Sequence, residues 1–202
     1  FRPEDYVPLF LIAFVPGLLA IALTRLLKER PLAPVKAPWP GFFAFLRYWR
    51  DAPRDYRRLT TGLLLFALFN SSDVFLLLGA RHAGLSDSHT IGVYIFYNLV
   101  YALFAFPLGT LADRIGVKRV FLIGLVLFAA VYFGMAAANG VVMVAVLFLL
   151  YGLYAAATEG VAKAWIGLLV PKEQMASAAG AYAGLQILFA LVASSRAGAL
   201  WM

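Results

Sequence analysis

The stretch GTLADRIGVKRV, residues 109–120, places four charged residues between two long apolar runs. These charged residues are Asp113, Arg114, Lys118 and Arg119. The preceding run, IGVYIFYNLVYALFAFPL, and the following run, FLIGLVLFAAVYFGMAAA, contain no charged residue. A short charged turn between two such runs is typical of a connection between membrane-spanning helices.

The composition favours a membrane protein. The 202 residues are 63% hydrophobic and 13% charged, whereas soluble domains carry about 25% charged residues. Crossing a bilayer as a helix takes roughly 20 apolar residues, and helices are expected because lipid offers backbone groups no hydrogen-bond partner. We therefore predict an all-α, polytopic transmembrane helical bundle with about six spans. These spans are 7–27, 59–80, 91–112, 119–138, 141–168 and 176–201.

The basic residues predict the orientation of these spans. Under strict alternation, the connections rich in Lys and Arg, 28–58 and 113–119, fall on one side together with Lys172, whereas only Arg2 and Arg81 fall on the other. Cytoplasmic loops carry an excess of Lys and Arg. We therefore expect 28–58 and 113–119 to be cytoplasmic, in a bacterial inner membrane, and attribute the net charge of +7 to this bias rather than to nucleic-acid binding.

Residues 28–58 form the predicted linker between a first transmembrane helix, 1–27, and a five-span bundle, 59–202. Its first part, RPLAPVKAPWP, is too rich in proline for a helix. The next part, GFFAFLRYWR, has an apolar face with arginines opposite, which indicates a short amphipathic helix. The apolar face consists of Phe42, Phe45, Leu46 and Trp49. Two interpretations stay open: a helix in the lipid headgroup region, or one packed on the underside of the protein.

The glycine and aspartate spacing of the charged turn resembles a family signature. The matching residues are Gly109, Leu111, Ala112, Asp113, Arg114, Gly116, Lys118 and Arg119. They resemble the motif G-x-L-A-D-R-x-G-x-K/R-R of the major facilitator superfamily (MFS), which lies in a short cytoplasmic turn. Gly109 permits close helix approach, Gly116 permits a tight reversal and Asp113 can face a helix N-terminus. An ordinary basic turn would not require this spacing, although Val117 departs from the basic residue that many members carry.

The resemblance implies a partial MFS transporter. Such transporters have two six-helix halves joined by a basic cytoplasmic loop, so this chain looks like the sixth to eleventh helices, and its start at Phe1 favours a fragment. The resemblance implies a small-molecule substrate, lipid contact, no cofactor and the missing N-terminal half as partner. The position of Asp73 and Glu159 in apolar spans adds the hypothesis of proton coupling. Substrate would bind between the halves and be released by alternating access. The alternative is a non-transporting or truncated membrane scaffold, while an enzyme is not expected because no nucleophile–base or metal constellation is present.

Ionisable residues inside apolar spans are candidate functional residues, because a charge near a helix centre costs at least ~2.5–3.5 kcal/mol on insertion scales. Asp73 would share one helix face with Asn70 and is the leading candidate for a cavity residue. Glu159 and Lys163 lie four residues apart and can form an ion pair along one helix, either for coupling or as a structural pair. Asn98 would line the cavity or bond to a neighbouring helix.

Small residues recur every four positions in the last two spans, which predicts close helix packing, with a substrate path as the alternative. They are Gly152, Ala156, Gly160 and Ala164 in the fifth span, and Ala176, Gly180 and Gly184 in the sixth. His82 and His89 flank a loop on the opposite side, but their spacing does not form a convincing ligand set. We therefore predict no metal site.

Overall fold

The computed structural model describes residues 6–26, 41, 44–70 and 73–201, and no strand occurs among them. A 3₁₀ turn, Lys172–Gln174, precedes the last helix. The helices are α1 (Tyr6–Thr24), α2 (Ala44–Asp51), α3 (Arg54–Phe69), α4 (Asp73–His82), α5 (Asp87–Ile115), α6 (Val117–Met135), α7 (Gly140–Leu168) and α8 (Met175–Trp201). The predicted all-α fold is confirmed.

Five helical stretches are long and apolar enough to cross a membrane. They are Arg54–His82, Asp87–Ile115, Val117–Met135, Gly140–Leu168 and Lys172–Arg196. These stretches correspond to five of the six predicted spans. The first predicted span corresponds to α1, which belongs to a separate unit, Phe1–Pro40, and whose described apolar part, Phe14–Thr24, is shorter than a span.

Large apolar side chains cover the outside of the bundle formed by α2–α8. Phe133, Val142 and Phe106 are 86%, 79% and 78% exposed, which would leave extensive apolar surface in contact with water. Lipid contact removes that cost. Helix α7 lies at the centre of the bundle. Half of the residues in its apolar 18-residue stretch are buried, compared with 17–31% in the other four spans.

The buried side chains form two clusters, and α7 contributes to both. One cluster contains Tyr56, Val120, Ile166 and Ala178, and the other contains Ala80, Val131, Val144 and Phe148. Along α7 the change from one cluster to the other falls between Ala155 and Ala157. The hydroxyl-bearing residues Tyr154 and Thr158 flank this change.

The second predicted span, 59–80, is not one continuous helix, which corrects the sequence-based expectation. Helix α3 ends at Phe69, Asn70 is extended with φ −89° and ψ 95°, and α4 begins at Asp73. The sequence at this break is Asn-Ser-Ser, and such side chains offer the backbone alternatives to helical hydrogen bonds. Asn70 and Asp73 consequently do not share a face of one helix. Residues 71–72 lie outside the described residues.

Gly116 alone separates α5 from α6. Its φ is +101°, a region that residues with a Cβ rarely adopt. The Gly116 N–H donates to the Ala112 carbonyl at 2.9 Å, while the Gly116 carbonyl accepts from the Arg119 N–H at 3.1 Å. One residue thus closes α5 and starts α6.

Helix α2 packs against α3 and α8, so the structure favours packing on the protein itself. Trp49 Nε1 donates to Thr60 Oγ1 at 3.0 Å, and the Tyr48 hydroxyl donates to Gln174 Oε1 at 3.3 Å. Burial raises the pKa of the Tyr48 hydroxyl above its ordinary value of 10.0, which keeps the proton on this donor.

The packed face of α2 differs from the predicted one. It consists of Phe45, Tyr48 and Trp49, whereas Leu46 is 46% exposed. Phe42 lies outside the described residues. The pattern of four apolar residues gave equal weight to Leu46, but the hydrogen-bond partners on α3 and in the 3₁₀ turn select the side of the helix that carries Tyr48 and Trp49.

Candidate functional site: a polar pocket at the centre of the bundle

A pocket of about 330 Å³ opens between α3, α6, α7 and α8. Its walls are aromatic and carry several polar groups. The aromatic residues are Phe66, Phe121, Tyr154 and Tyr182, and the other polar residues are Asn70, Thr158, Glu159, Lys163 and Gln186. We call this the polar pocket. An apolar cavity with a few convergent polar groups is typical of small-molecule sites.

Asn70 connects the helix break to α7. Its Nδ2 donates to the Tyr154 hydroxyl at 3.2 Å, while its Oδ1 is buried without a hydrogen-bond partner. The Thr158 hydroxyl is occupied, because it donates to the Tyr154 carbonyl at 2.8 Å. A buried acceptor without a partner calls for an explanation, and a donor from a ligand or water in the polar pocket would supply one.

Asp73 is held by the same helix. The Tyr151 hydroxyl donates to Asp73 Oδ1 at 2.6 Å, and Tyr151 is only 3% exposed. The rings of Tyr151 and Tyr154 lie 5.3 Å apart. Asp73 does not line the polar pocket itself, but these two tyrosines connect it to the pocket wall.

Glu159 and Lys163 both line the polar pocket, yet they do not form the ion pair that their spacing predicted. The Tyr101 hydroxyl approaches the Glu159 carboxylate instead. Both charged side chains are exposed to the pocket opening, where solvated ion pairs contribute little stability. The pocket therefore presents a negative and a positive group that are not neutralised by each other.

Asn98 lies outside this site. Its Nδ2 donates to the Tyr94 carbonyl of the same helix at 2.8 Å, and its side chain is exposed. Gln186 of α8, in contrast, lines the polar pocket. The expectation that Asn98 bonds to a neighbouring helix is thus not met, because the preceding turn of α5 provides a nearer acceptor.

The tyrosines of α7 were missed by the sequence reasoning. In LYGLYAAATEG, residues 150–160, Tyr151 and Tyr154 are three positions apart and so share a helix face. The small residues of this stretch, Gly152, Ala156 and Gly160, indicated helix packing instead. Two hydroxyl groups within an apolar span are a signal for hydrogen-bond partners, which here are Asp73 and Asn70.

A second pocket, of about 340 Å³, lies beside the charged turn between α5 and α7. We call it the Gly109 groove; Gly109, Asp113, Ala156, Gly160 and Ala164 line it. A Cβ added at Gly109 or Gly160 would meet nothing within 4 Å. Asp113 has no hydrogen bond or ion pair within the described residues. The groove is thus an open, small-residue surface with an unneutralised carboxylate at its edge.

Ala112 of the charged turn is buried, whereas Leu111 and the basic residues are exposed. Leu111 is 38% exposed, and the three basic side chains face outward at the end of the bundle. The basic residues are Arg114, Lys118 and Arg119. Val117, where many family members carry a basic residue, is half-buried and lines the Gly109 groove.

The small residues predicted to pack helices fall into two groups. A Cβ at Gly152 would lie 2.8 Å from Val100 Cβ and 2.9 Å from the Tyr97 carbonyl oxygen, so α5 and α7 touch there. Gly184 faces the Phe45 ring. In contrast, Gly160 and Gly180 face open space within the described chain.

The connection between α4 and α5 contacts the start of α7, because the Gly140 N–H donates to the Ala83 carbonyl at 3.3 Å. Arg81 pairs with Asp87 at 2.8 Å, and Ser86 Oγ lies 2.8 Å from His89 Nδ1. Among the residues that the structure describes, no three His, Cys, Asp or Glu side chains are grouped so that they could hold a metal ion.

The apolar exterior and the five long helices define an integral, multi-pass membrane protein. The family model described as Major Facilitator Superfamily matches residues 80–201, and the chain belongs to this family. It is 31% identical over 199 residues to an uncharacterized MFS-type transporter of Methanocaldococcus jannaschii, an alignment that covers 96% of this chain and 49% of that protein. The chain thus spans about half the length of the curated relative it matches. No solved structure matches the chain.

Proposed function

We propose that this chain supplies one half of the substrate cavity of a secondary active transporter, with the polar pocket as its wall. The position of the pocket supports this function. Helix α7 has 29 residues, about 43 Å at 1.5 Å per residue, and Tyr154 is its central residue. Transporters of this kind bind substrate near the midplane, between two repeats.

The open surface of the Gly109 groove supports the presence of a partner helix. We propose that a helix of an N-terminal half packs along Gly109 and Gly160, where the absence of side chains permits close approach. Asp113 would then face the positive end of that helix. Residues 28–58 would form the cytoplasmic connection between the halves, and rocking of the halves would expose the polar pocket to each side in turn.

We further propose that Asp73 or Glu159 couples transport to protons. The hydrogen bond between Tyr151 and Asp73 is the observation that supports this proposal best, because it joins α4 to α7 across the helix break. Protonation of Asp73 would remove its charge and turn an acceptor oxygen into a donor. The position of α4 relative to α7 would then respond to the protonation state.

A transport assay with an imposed pH gradient tests this function. The full-length gene product is placed in lipid vesicles, and the substrate is the compound that most raises its unfolding temperature in a ligand screen. We expect Asp73→Asn or Glu159→Gln to abolish gradient-driven uptake while leaving exchange without a gradient. Asp87→Asn, at an exposed carboxylate in the first turn of α5, serves as the control and should retain both.

The outcomes separate coupling from transport. If both variants retain gradient-driven uptake, proton coupling through these carboxylates is wrong. If the unmodified protein moves no stabilising compound in either assay, the transporter assignment itself fails.

A further inference from the structure

Three arginines occupy one face of the first turns of α3. Arg54, Arg57 and Arg58 are followed by Thr61 at positions i, i+3, i+4 and i+7, so their side chains share a helix face. Together with Trp49 of α2 they line an open pocket of about 440 Å³. We call this the arginine pocket. It shares no residue with the polar pocket or the Gly109 groove.

The positive charge of this pocket is largely uncompensated. Arg54 has no hydrogen bond or ion pair within the described residues. The Nε of Arg57 is buried without a hydrogen-bond partner. Arg58 meets Asp55 at 3.6 Å, but both side chains are more than 70% exposed, so the pair is weak. A buried N–H donor without an acceptor is a feature that a bound anion would satisfy.

The surrounding segment has the same excess of positive charge. Residues 44–61 contain five arginines, two aspartates and no other charged residue, which leaves a net charge of +3. The Trp49 ring is fixed at the pocket by its hydrogen bond to Thr60. Because the membrane-spanning stretch Arg54–His82 starts here, the pocket lies where the helix enters the membrane, the level at which tryptophan and basic residues meet lipid headgroups.

The face below the arginines is apolar and exposed. It continues from Thr61 to Leu65 and Phe69, each four residues further, and these two side chains are 52% and 73% exposed. A ligand lying along this face would meet cationic groups first and hydrocarbon-like surface next. Free phosphate would contact only the cationic groups. A phospholipid carries a phosphate for the arginines and an acyl chain for the apolar face.

We propose that the arginine pocket binds the phosphate group of an anionic phospholipid, whose acyl chain lies along Leu65 and Phe69. Guanidinium groups suit this ligand because they donate two parallel hydrogen bonds to phosphate oxygens. The bound lipid would also contact Trp49 and thereby link α2, α3 and the membrane surface.

The experiment measures lipid binding to the purified protein in a neutral detergent. The unfolding temperature is followed as phosphatidylglycerol, phosphatidylcholine or inorganic phosphate is added. We expect a saturable rise with phosphatidylglycerol and little effect of the other two. The double variant Arg54→Gln, Arg57→Gln should raise the half-saturating phosphatidylglycerol concentration about tenfold or more, since each basic residue near the surface contributes on the order of a fivefold effect.

The control removes the same charge from outside the pocket. Arg47→Gln, Arg50→Gln changes two arginines of α2 that do not line it, and we expect a change below about threefold, because salt screens charges that do not touch the ligand. Arg54→Gln alone changes a residue without hydrogen bonds or ion pairs and serves as the second variant should the double variant unfold. We expect a weaker but measurable loss for it.

Three results would overturn the proposal. Equal weakening by the two double variants would indicate diffuse charge attraction without a site. Equal binding of phosphatidylcholine would exclude selection of an anionic headgroup. Competition by millimolar inorganic phosphate, with the same saturable stabilisation, would assign the site to free phosphate instead of lipid.

Discussion

Asp73 illustrates how a single carboxylate can be retained inside an apolar bundle. Its side chain is half-buried and accepts the Tyr151 hydroxyl at 2.6 Å. A charged group in such an environment is costly unless it is hydrogen-bonded. The donor on α7 therefore satisfies the Asp73 carboxyl group and at the same time holds the start of α4 against α7.

Removing the Tyr151 hydroxyl tests this contact. We expect Tyr151→Phe to reduce the free energy of unfolding by about 1–3 kcal/mol, because Asp73 loses its donor. Tyr94→Phe, in α5, is the matched control: no hydrogen bond involves its hydroxyl in the described chain, and we expect a change within about 0.5 kcal/mol. Thermal unfolding in detergent measures both. Equal effects of the two substitutions would show that the hydrogen bond contributes no stability.

The sequence predicted the ionisable residues of the site but not their partners. Asp73 and Glu159 stand out in any apolar span, since charge is rare there. Tyr151 and Tyr101 do not stand out, because tyrosine is common in membrane helices. In addition, the carboxylate that accepts the Tyr151 hydroxyl belongs to a residue 78 positions away in the sequence. Only the packing of α4 and α5 on α7 reveals which hydroxyl meets which carboxylate.

At the scale of the helices, the length of each helix could be predicted better than the face that it buries. The long apolar runs gave the spans of α5, α6, α7 and α8 within a few residues. A soluble helix reveals its buried face by its polar residues, but a membrane helix is apolar toward both lipid and protein. Gly152 and Gly160 therefore look alike in the sequence, although only Gly152 is in contact with another helix.

These two glycines give a matched pair of substitutions on α7. Gly152→Ala places a Cβ 2.9 Å from the Tyr97 carbonyl oxygen, and we expect a loss of about 1–3 kcal/mol from overpacking. Gly160→Ala meets open space and should be neutral or stabilising by about 0.5–1 kcal/mol, since alanine favours helix. The unfolding temperatures of both variants provide the check. A destabilised Gly160→Ala variant would mean that this face is already covered in the purified protein.

At the scale of the whole molecule, the distribution of Lys and Arg predicts which side each connection occupies. The chain contains no cysteine, so single cysteines can report the side directly. We expect Glu173→Cys to be cytoplasmic and Asn139→Cys, at the other end of α7, to lie outside. Both side chains are exposed. A membrane-impermeant maleimide added to intact cells should label Asn139→Cys only, and the reverse pattern would refute the orientation.

The family could be predicted from the spacing of one turn, in which Gly116 at φ +101° joins α5 directly to α6. The same turn gave no information on the polar pocket, which depends on four helices meeting near Tyr154. The break at Asn70 could not be predicted either, because three polar residues hardly lower the average hydrophobicity of a whole span.

The central claim is that the polar pocket is a water-accessible cavity within a membrane-embedded bundle. Gln186 lines the pocket, whereas its neighbour Ile187 is 69% exposed on the outside of α8 and does not line it. The most direct measurement is the labelling rate of Gln186→Cys and Ile187→Cys by a water-soluble maleimide, with the protein in lipid vesicles. We predict rapid labelling of Gln186→Cys and almost none of Ile187→Cys. Equal rates at the two positions, or no reaction at Gln186→Cys, would contradict this structural account.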